Sequence, residues 1–286
     1  MLAIVGTVPD LQFPLVAGEA ELQGGAIRVA GRSAPVNRGT PALIASAIRT
    51  LEVLGRPNPH VYLAGDIGLG DGSRKIYDLL VRELSGADWG VLVFHYLQPD
   101  VDWHNRVLFA AGEMRRRPTL MADAGFMYAA KMSGMAEEYD LFTPDAGELA
   151  FLADDQAPHP FYTRGFILHE DQKVPDLITR AYAHKNAARL LLVKGKVDYV
   201  AGVKGVIATI DEPSEEALEP IGGTGDTLTG LVAALAEGGE ALDQAAVRAA
   251  RANRIAGCLA SPTPSTQVSD IIDHIPQAVA QVLETK

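Results

Sequence analysis

A glycine-rich stretch over residues 221–230 contains the residues best suited to chemistry. It reads Ile-Gly-Gly-Thr-Gly-Asp-Thr-Leu-Thr-Gly. Apolar residues recur at helical spacing from Leu228 onward, so a buried helix is predicted to begin directly after the glycines. Free backbone amides at a helix N-terminus bind anions. Asp226, beside these amides, could accept a proton from a hydroxyl while the amides stabilise a transferring phosphoryl group. The simpler alternative is that Asp226 only caps the helix.

The elements that must position this stretch follow a β-α rhythm. Short apolar runs rich in Val, Ile and Leu alternate with helical patterns, which indicates β-α units around a largely parallel sheet. The runs are continuously hydrophobic, as expected when helices cover both faces of the sheet. The predicted strands are 2–5, 61–64, 90–96, 119–122, 140–142 and 190–193.

Four further segments complete the predicted organisation. A helix is expected from an N-cap at Thr40 to a C-cap at Gly55. Weak alternation over 19–29, around two adjacent glycines, predicts a β-hairpin that projects from the sheet. A second hairpin is expected over 198–210. The stretch 157–174 has no clear period and is predicted to be a long loop that could cover a site.

Composition and charge limit the class of protein. The chain has 286 residues, of which 48% are hydrophobic, and its net charge is −11. This composition predicts a globular protein, and we expect one domain over 1–286 with 19–29 as a small β projection. The acidic surface disfavours nucleic acid and anionic lipid as partners. A small anionic ligand stays compatible with it through a local site.

Cysteine content and hydropathy bear on the compartment. The single cysteine, Cys258, cannot form an intrachain disulfide, which suits a reducing environment. No apolar run approaches the roughly 20 residues of a membrane-spanning helix, and the N-terminus lacks a basic leader region. We therefore expect a cytoplasmic protein that does not bind membranes. A homo-oligomer is compatible with the sequence.

Several ordered motifs resemble those of a known family. Gly-Gly-Thr-Gly-Asp followed by Leu-Thr-Gly resembles the signature of the ribokinase-like superfamily, and most closely its ATP- or ADP-dependent NAD(P)H-hydrate dehydratase branch, often called carbohydrate kinase. Thr143–Leu149 resembles that branch's Thr-Pro-His-Pro-Gly-Glu segment, and Leu192–Gly195 resembles its strand-borne Lys-Gly pair. Ile67–Asp71 resembles its glycine turn. The resemblance covers residues 61 to about 260 and implies a three-layer α/β/α sandwich with a mostly parallel central sheet.

On the nucleotide side, the resemblance implies ATP or ADP with Mg²⁺. Asp226 would be the catalytic base, Glu148 would hold Mg²⁺ through water, and Lys194 would neutralise nucleotide phosphate. Without the family, Glu148 can also be an ordinary first-turn helix residue, and Lys194 is equally well a solvated lysine at a strand end. The further nucleotide- and phosphate-binding residues would be Gly222, Gly223, Thr224, Gly225, Gly195 and Asn253, the last on a helix beside the adenine.

On the substrate side, the resemblance implies Gly68, Gly70, Asp123 and Asp145. Ligands favour the C-terminal ends of strands in open α/β sheets, where Asp123 is expected. The sequence also departs from the family pattern, because Asp145 and Ala146 replace its substrate-side histidine and second proline. Nucleotide chemistry is therefore better supported than the NAD(P)H-hydrate substrate.

Competing site types lack their signatures. The glycines after strand 61–64 are spaced Gly68-x-Gly70-x-Gly72, which breaks the dinucleotide-binding fingerprint, and the chain has neither GxxxxGK[ST] nor HExxH. His95 is the one histidine placed where a ligand could bind, although a purely structural role is the simpler interpretation.

The function expected first is nucleotide-dependent phosphoryl transfer to a hydroxyl of a small molecule, as in sugar kinases. An alternative is ATP/ADP-dependent NAD(P)H-hydrate dehydration, in which phosphate loss follows the same transfer. A second alternative is a nucleotide sensor that binds without turnover.

Overall fold

The computed structural model describes residues 1–157 and 174–284. Their main feature is a nine-stranded sheet in the order β12-β11-β10-β9-β8-β7-β1-β6-β2, with a separate three-stranded sheet β3-β4-β5. The strands are β1 Leu2–Val8, β2 Val16–Glu19, β3 Glu21–Gln23, β4 Ala26–Val29, β5 Arg32–Pro35, β6 His60–Gly65, β7 Val91–His95, β8 Thr119–Ala122, β9 Leu141–Phe142, β10 Leu190–Val193, β11 Asp198–Gly202 and β12 Gly205–Ile210.

Six neighbouring strands of the large sheet, from β6 to β10, run parallel. The edge strands β2 and β12, and β11 next to β12, are antiparallel to their neighbours. The helices are α1 Gly39–Val53, α2 Asp71–Glu83, α3 Val101–Gly112, α4 Ala124–Met132, α5 Ala146–Ala153, α6 Val174–Ala183, α7 Thr224–Glu237, α8 Leu242–Leu259, α9 Val268–Ile272 and α10 Ile275–Glu284.

The helices cover both faces of the sheet. Side chains alternate between faces along each strand, so Ile4 packs with the cluster under α1, α7, α8, α9 and α10, whereas Val5 packs with the cluster under α2 to α6. The predicted three-layer α/β/α sandwich with a mostly parallel sheet is confirmed. In the described part of the chain, no helix is long and apolar enough to cross a membrane.

Most predicted elements form close to their expected bounds. The strands 119–122 and 190–193 have the predicted limits, and the second hairpin consists of β11 and β12. Helix α1 begins at Gly39, one residue before the predicted cap, and its N-cap is Arg38. The loop predicted over 157–174 lies, apart from its two end residues, outside the described residues.

The segment 19–29 forms more structure than one hairpin. Its first residue ends β2, which pairs with β6, and the rest forms β3 and β4, which are joined by β5. Ile27 and Val29 are buried in the same apolar cluster as α1. The small sheet therefore packs against the sandwich through one face.

Candidate active site

The carboxyl ends of four neighbouring parallel strands bring polar side chains to one edge of the sheet. His95 ends β7, and Asp123, Thr143 and Lys194 directly follow β8, β9 and β10. Parallel strands place their carboxyl ends on the same side, which is where open α/β sheets bind ligands. The topology thus collects residues that are far apart in sequence.

A cavity of about 1060 Å³ opens at this edge. It also contains the start of α7, the start of α5 and part of α8. Ten residues predicted for the site line it: Asp123, Asp145, Glu148, Lys194, Gly195, Gly223, Thr224, Gly225, Asp226 and Asn253. Gly222, Gly68 and Gly70 are not among the described lining residues.

The glycine-rich stretch presents unused amides to the cavity. Gly223 is the N-cap of α7, with a left-handed φ of 104°, and makes no side-chain capping bond. Within the described residues, no protein group accepts a hydrogen bond from the amides of residues 224–226. These amides are therefore available to an anion, as the spacing predicted.

Asp226 does not cap its own helix. Its Oδ2 accepts a hydrogen bond from the Gly39 amide at 2.6 Å, and its Oδ1 lies 3.1 Å from His95 Nε2. The N-termini of α1 and α7 therefore meet at this carboxylate. Burial alone would raise the pKa of Asp226, but the bonds from His95 and Gly39 and the nearby Lys194 charge hold it below its usual value. Asp226 is an ionised carboxylate at neutral pH, as a general base requires.

Asp123 and Lys194 form a buried ion pair. Lys194 Nζ lies 3.0 Å and 2.9 Å from the two oxygens of Asp123. The same carboxylate accepts from Thr229 Oγ1 at 2.7 Å and from the Ala124 amide at 2.9 Å. Although burial lowers the pKa of Lys194, the Asp123 and Glu148 carboxylates raise it above its usual value. Both oxygens of Asp123 are thus occupied by protein donors, and Lys194 bonds to both of them.

Glu148 lies at the start of α5, beside this pair. Asp145 and Glu148 form a reciprocal capping box, in which each accepts the other's backbone amide. Tyr128 donates its hydroxyl to Glu148 Oε1 at 3.0 Å. Burial and the Asp123 charge raise the pKa of Glu148 to about 8. A nearby cation would stabilise the charged form of this carboxylate. Asp145 acts as the N-cap of α5.

Asn253 and Gly195 shape the cavity wall. Asn253 on α8 accepts from Thr227 Oγ1 at 2.7 Å and donates to the Thr224 carbonyl at 3.0 Å, which ties α8 to the first turn of α7. The Gly195 amide donates to Asp198, which pairs with Arg254 at 2.8 Å. Arg254 also donates to the Gly195 carbonyl. Both predicted nucleotide residues therefore have structural contacts that fix the wall's shape.

The glycine turn after β6 is closed by its own carboxylate. Asp66 Oδ1 accepts the amides of Gly68, Leu69 and Gly70, and its Oδ2 accepts the amide and hydroxyl of Ser73. Burial would raise the pKa of Asp66, but these bonds hold it below its usual value. Asp66 thus occupies the position in which this turn could have held an anion, and the structure does not bring Gly68 and Gly70 into the cavity.

Sequence reasoning missed the part that His95, Gly39 and Thr40 play. His95 is fully buried, and its Nδ1 lies 3.0 Å from Thr40 Oγ1. The one available signal was the position of His95 at a strand end next to Asp123. Its contact with Asp226 joins residues 131 positions apart, which no local pattern reveals.

Comparison with known proteins identifies the family of this chain. The family model described as NAD(P)H-hydrate dehydratase matches residues 100–277. The uncharacterized protein MJ1337 of Methanocaldococcus jannaschii is 40% identical over 243 residues, which are 85% of this chain and all of that protein. The bifunctional NAD(P)H-hydrate repair enzyme Nnr of Pyrobaculum aerophilum is 30% identical over 142 residues, which are 49% of this chain but only 25% of that protein.

Solved structures show the same fold. The ADP/ATP-dependent NAD(P)H-hydrate dehydratase of Bacillus subtilis superposes with a TM-score of 0.59 at 14% identity, covering 98% of this chain and 92% of that one. Phosphofructokinase-2 of Escherichia coli gives a TM-score of 0.56 at 12% identity, covering 98% and 99%. Both likenesses support the ribokinase-like fold. Since the family model matches more than half of the sequence, the chain belongs to the NAD(P)H-hydrate dehydratase family of carbohydrate-kinase type, and it is an enzyme.

Proposed function

We propose that this protein is an ATP- or ADP-dependent NAD(P)H-hydrate dehydratase. The observation that carries the proposal is the Asp226 carboxylate, held by His95 and the Gly39 amide beside the unused amides of residues 224–226, in a chain of this family. The sequence alone put a small-molecule kinase first. The family match favours the dehydratase, whose first step is the same phosphoryl transfer.

The proposed chemistry follows from the positions of the groups. Asp226 would accept the proton of the hydrate's hydroxyl as that oxygen attacks the terminal phosphorus of the nucleotide. The amides of residues 224–226 would stabilise charge on the transferring phosphoryl group. The nucleotide would leave with one phosphate fewer. Elimination of the phosphate from the product, together with a proton from the neighbouring ring carbon that passes to water, would then form the ring double bond of the reduced nicotinamide. Lys194 would contribute positive charge near the phosphates.

The residues present fit a water-mediated Mg²⁺ site. In the described ranges no three carboxylate, His or Cys side chains group into a cage for a metal. Mg²⁺ usually keeps several waters and binds one or two carboxylates plus substrate phosphates. Glu148, a cavity carboxylate whose pKa burial raises to about 8, is suited to hold such an ion. When bound, Mg²⁺ supplies charge neutralisation to the phosphates.

A second candidate is phosphorylation of another small hydroxyl compound without phosphate loss. One observation favours it: Asp145 and Ala146 stand where the family pattern has a substrate-side histidine and proline. Asp145 is engaged in the capping box with Glu148. The two candidates differ in product, since only the dehydratase restores reduced nicotinamide.

The test mixes NAD(P)H hydrate, ATP or ADP, and Mg²⁺ with the protein and follows reduced-nicotinamide absorbance. We expect the absorbance to recover, and Asp226→Asn to slow it at least about 100-fold, with the nucleotide-induced rise in Tm retained. Asp78→Asn, on the exposed face of α2, is the matched control. Equal turnover by Asp226→Asn and the parent protein would refute the base assignment. A nucleotide-induced Tm rise with no turnover of the hydrate or of hydroxyl acceptors would favour the sensor.

A further inference from the structure

His95 contacts the proposed base directly and is held by a second hydrogen bond behind it. The histidine ends β7 and is fully buried, with Nε2 3.1 Å from Asp226 Oδ1 and Nδ1 3.0 Å from Thr40 Oγ1. The next nearest carboxylate oxygen, on Asp123, is 3.9 Å away. A ring with both nitrogens engaged in this way has a fixed orientation.

The hydrogen-bond pattern fixes which side of the ring carries a hydrogen. An ionised carboxylate only accepts hydrogen bonds, so the Nε2 that faces Asp226 must carry a hydrogen. The Thr40 hydroxyl can either donate to Nδ1 or accept from it, and in both cases it keeps the ring in place. His95 is therefore a donor to Asp226 whether its imidazole is neutral or charged.

Close packing prevents the ring and its neighbours from moving apart. Gly6 on β1 pairs with His95. A Cβ added to Gly6 would lie 2.5 Å from Thr40 Oγ1 and 2.6 Å from the His95 carbonyl oxygen. The ring of Tyr96 also packs edge-on against His95, with centroids 4.3 Å apart. The absence of a side chain at Gly6 allows the start of α1 to approach the end of β7.

We propose that His95 is a positioning residue for Asp226. His95 holds Oδ1 of the carboxylate while the Gly39 amide holds Oδ2, so that the carboxylate has a fixed orientation beside the amides of residues 224–226. The inference rests on the proposed function, in which Asp226 is the base. It goes further by naming the residue that orients that base. Other titratable or charged groups around the pair are Asp123, Lys194, Tyr96, Arg38 and Glu148.

Two substitutions of His95 distinguish loss of its hydrogen bond to Asp226 from loss of the ring itself. His95→Asn shortens the side chain and removes the donor from Asp226, whereas His95→Gln can place an amide N–H near the position of Nε2. Thr40→Val keeps the side-chain volume but removes the hydroxyl that orients the ring. If His95→Asn does not fold, Thr40→Val takes its place in the test.

The primary measurement needs no turnover. In protein labelled with ¹³C at aspartate carboxyl groups, the resonance of Asp226 is assigned by its loss in Asp226→Asn and titrated with pH. Removing a donor to the charged form raises a carboxyl pKa, so we expect His95→Asn to raise it by about one unit or more. His95→Gln and Thr40→Val should give smaller shifts in the same direction.

Enzyme kinetics give the second readout. The acid limb of kcat/KM should move to higher pH in His95→Asn by the same amount, with the KM for nucleotide little changed. In the Asp226→Asn background, His95→Asn should have no further effect on turnover, because it acts through Asp226.

An Asp226 titration that is unchanged in folded His95→Asn, or in Thr40→Val if the former does not fold, overturns the inference. The titration is independent of the substrate, so failure of the dehydratase assay with a shifted Asp226 resonance would reject the proposed function alone. An unshifted resonance with normal hydrate turnover would reject the role of His95 alone.

Discussion

Lys194→Met should destabilise the unliganded protein, because it leaves a buried carboxylate without its cation. Lys194 Nζ bonds both oxygens of Asp123, whose side chain is 2% exposed. Removal of one partner of a buried pair costs about 3–5 kcal/mol. Thr229 and the Ala124 amide continue to bond Asp123, and the cavity admits water beside it. We therefore expect a loss near the lower limit, about 3 kcal/mol.

The assay is urea unfolding without nucleotide, with two further variants. Lys194→Met/Asp123→Asn should recover much of the loss, since a neutral amide replaces the uncompensated charge. Lys196→Met is the matched control. Lys196 is an exposed lysine of the same cavity, and the described structure shows no ion pair for it. The substitution should change the free energy of unfolding by less than about 0.5 kcal/mol. A loss below about 1 kcal/mol for Lys194→Met, or a double variant no more stable than it, would refute the structural role assigned to the pair.

Two other substitutions test the scaffold. Gly230→Ala should lower the free energy of unfolding by about 1–3 kcal/mol, because its Cβ would lie 2.0 Å from Ser46 Oγ. Gly112→Ala is the control, because its Cβ would meet only open space. It should be nearly neutral in the same thermal or urea unfolding experiment. His104→Asn should flatten the pH dependence of stability between about 6.5 and 4. Burial of His104 lowers its pKa to about 4, so the unfolded chain binds more protons in this window and the parent protein loses up to about 3 kcal/mol as the pH falls. Urea unfolding at pH 7 and 4.5 measures the slope, and an equal slope in both proteins would contradict this account. Loss of the contact with Tyr139 lowers stability at both pH values and leaves the difference interpretable.

Much of the site could be predicted because its residues lie at strand ends and helix starts. Asp123 and Lys194 each directly follow an apolar strand, and the local pattern placed both strands correctly. Parallel pairing through β9 then brings the two residues into contact. Chemistry that follows directly from β-α topology is therefore visible in the sequence.

Other parts depend on long-range contacts and could not be read locally. The turn with Gly68 and Gly70 has the glycines of an anion site, but Asp66 occupies it from within. His95 meets Asp226 only because α7 packs across the sheet end. A local motif shows which amides and carboxylates are available, and the fold decides which of them are already satisfied.

The charge distribution of the cavity bears on how an anionic nucleotide would bind to an acidic protein. Among the described lining residues, carboxylates outnumber cationic side chains. Two of the cations, Lys194 and Arg254, are already paired with Asp123 and Asp198. Side-chain charge would therefore supply little net attraction for a nucleotide. In the proposed function, the amides at the start of α7 and a divalent ion near Glu148 would provide most of that attraction. In a chain with a net charge of −11, the proposed nucleotide site therefore depends on three glycines and the half-buried Glu148 rather than on a basic patch.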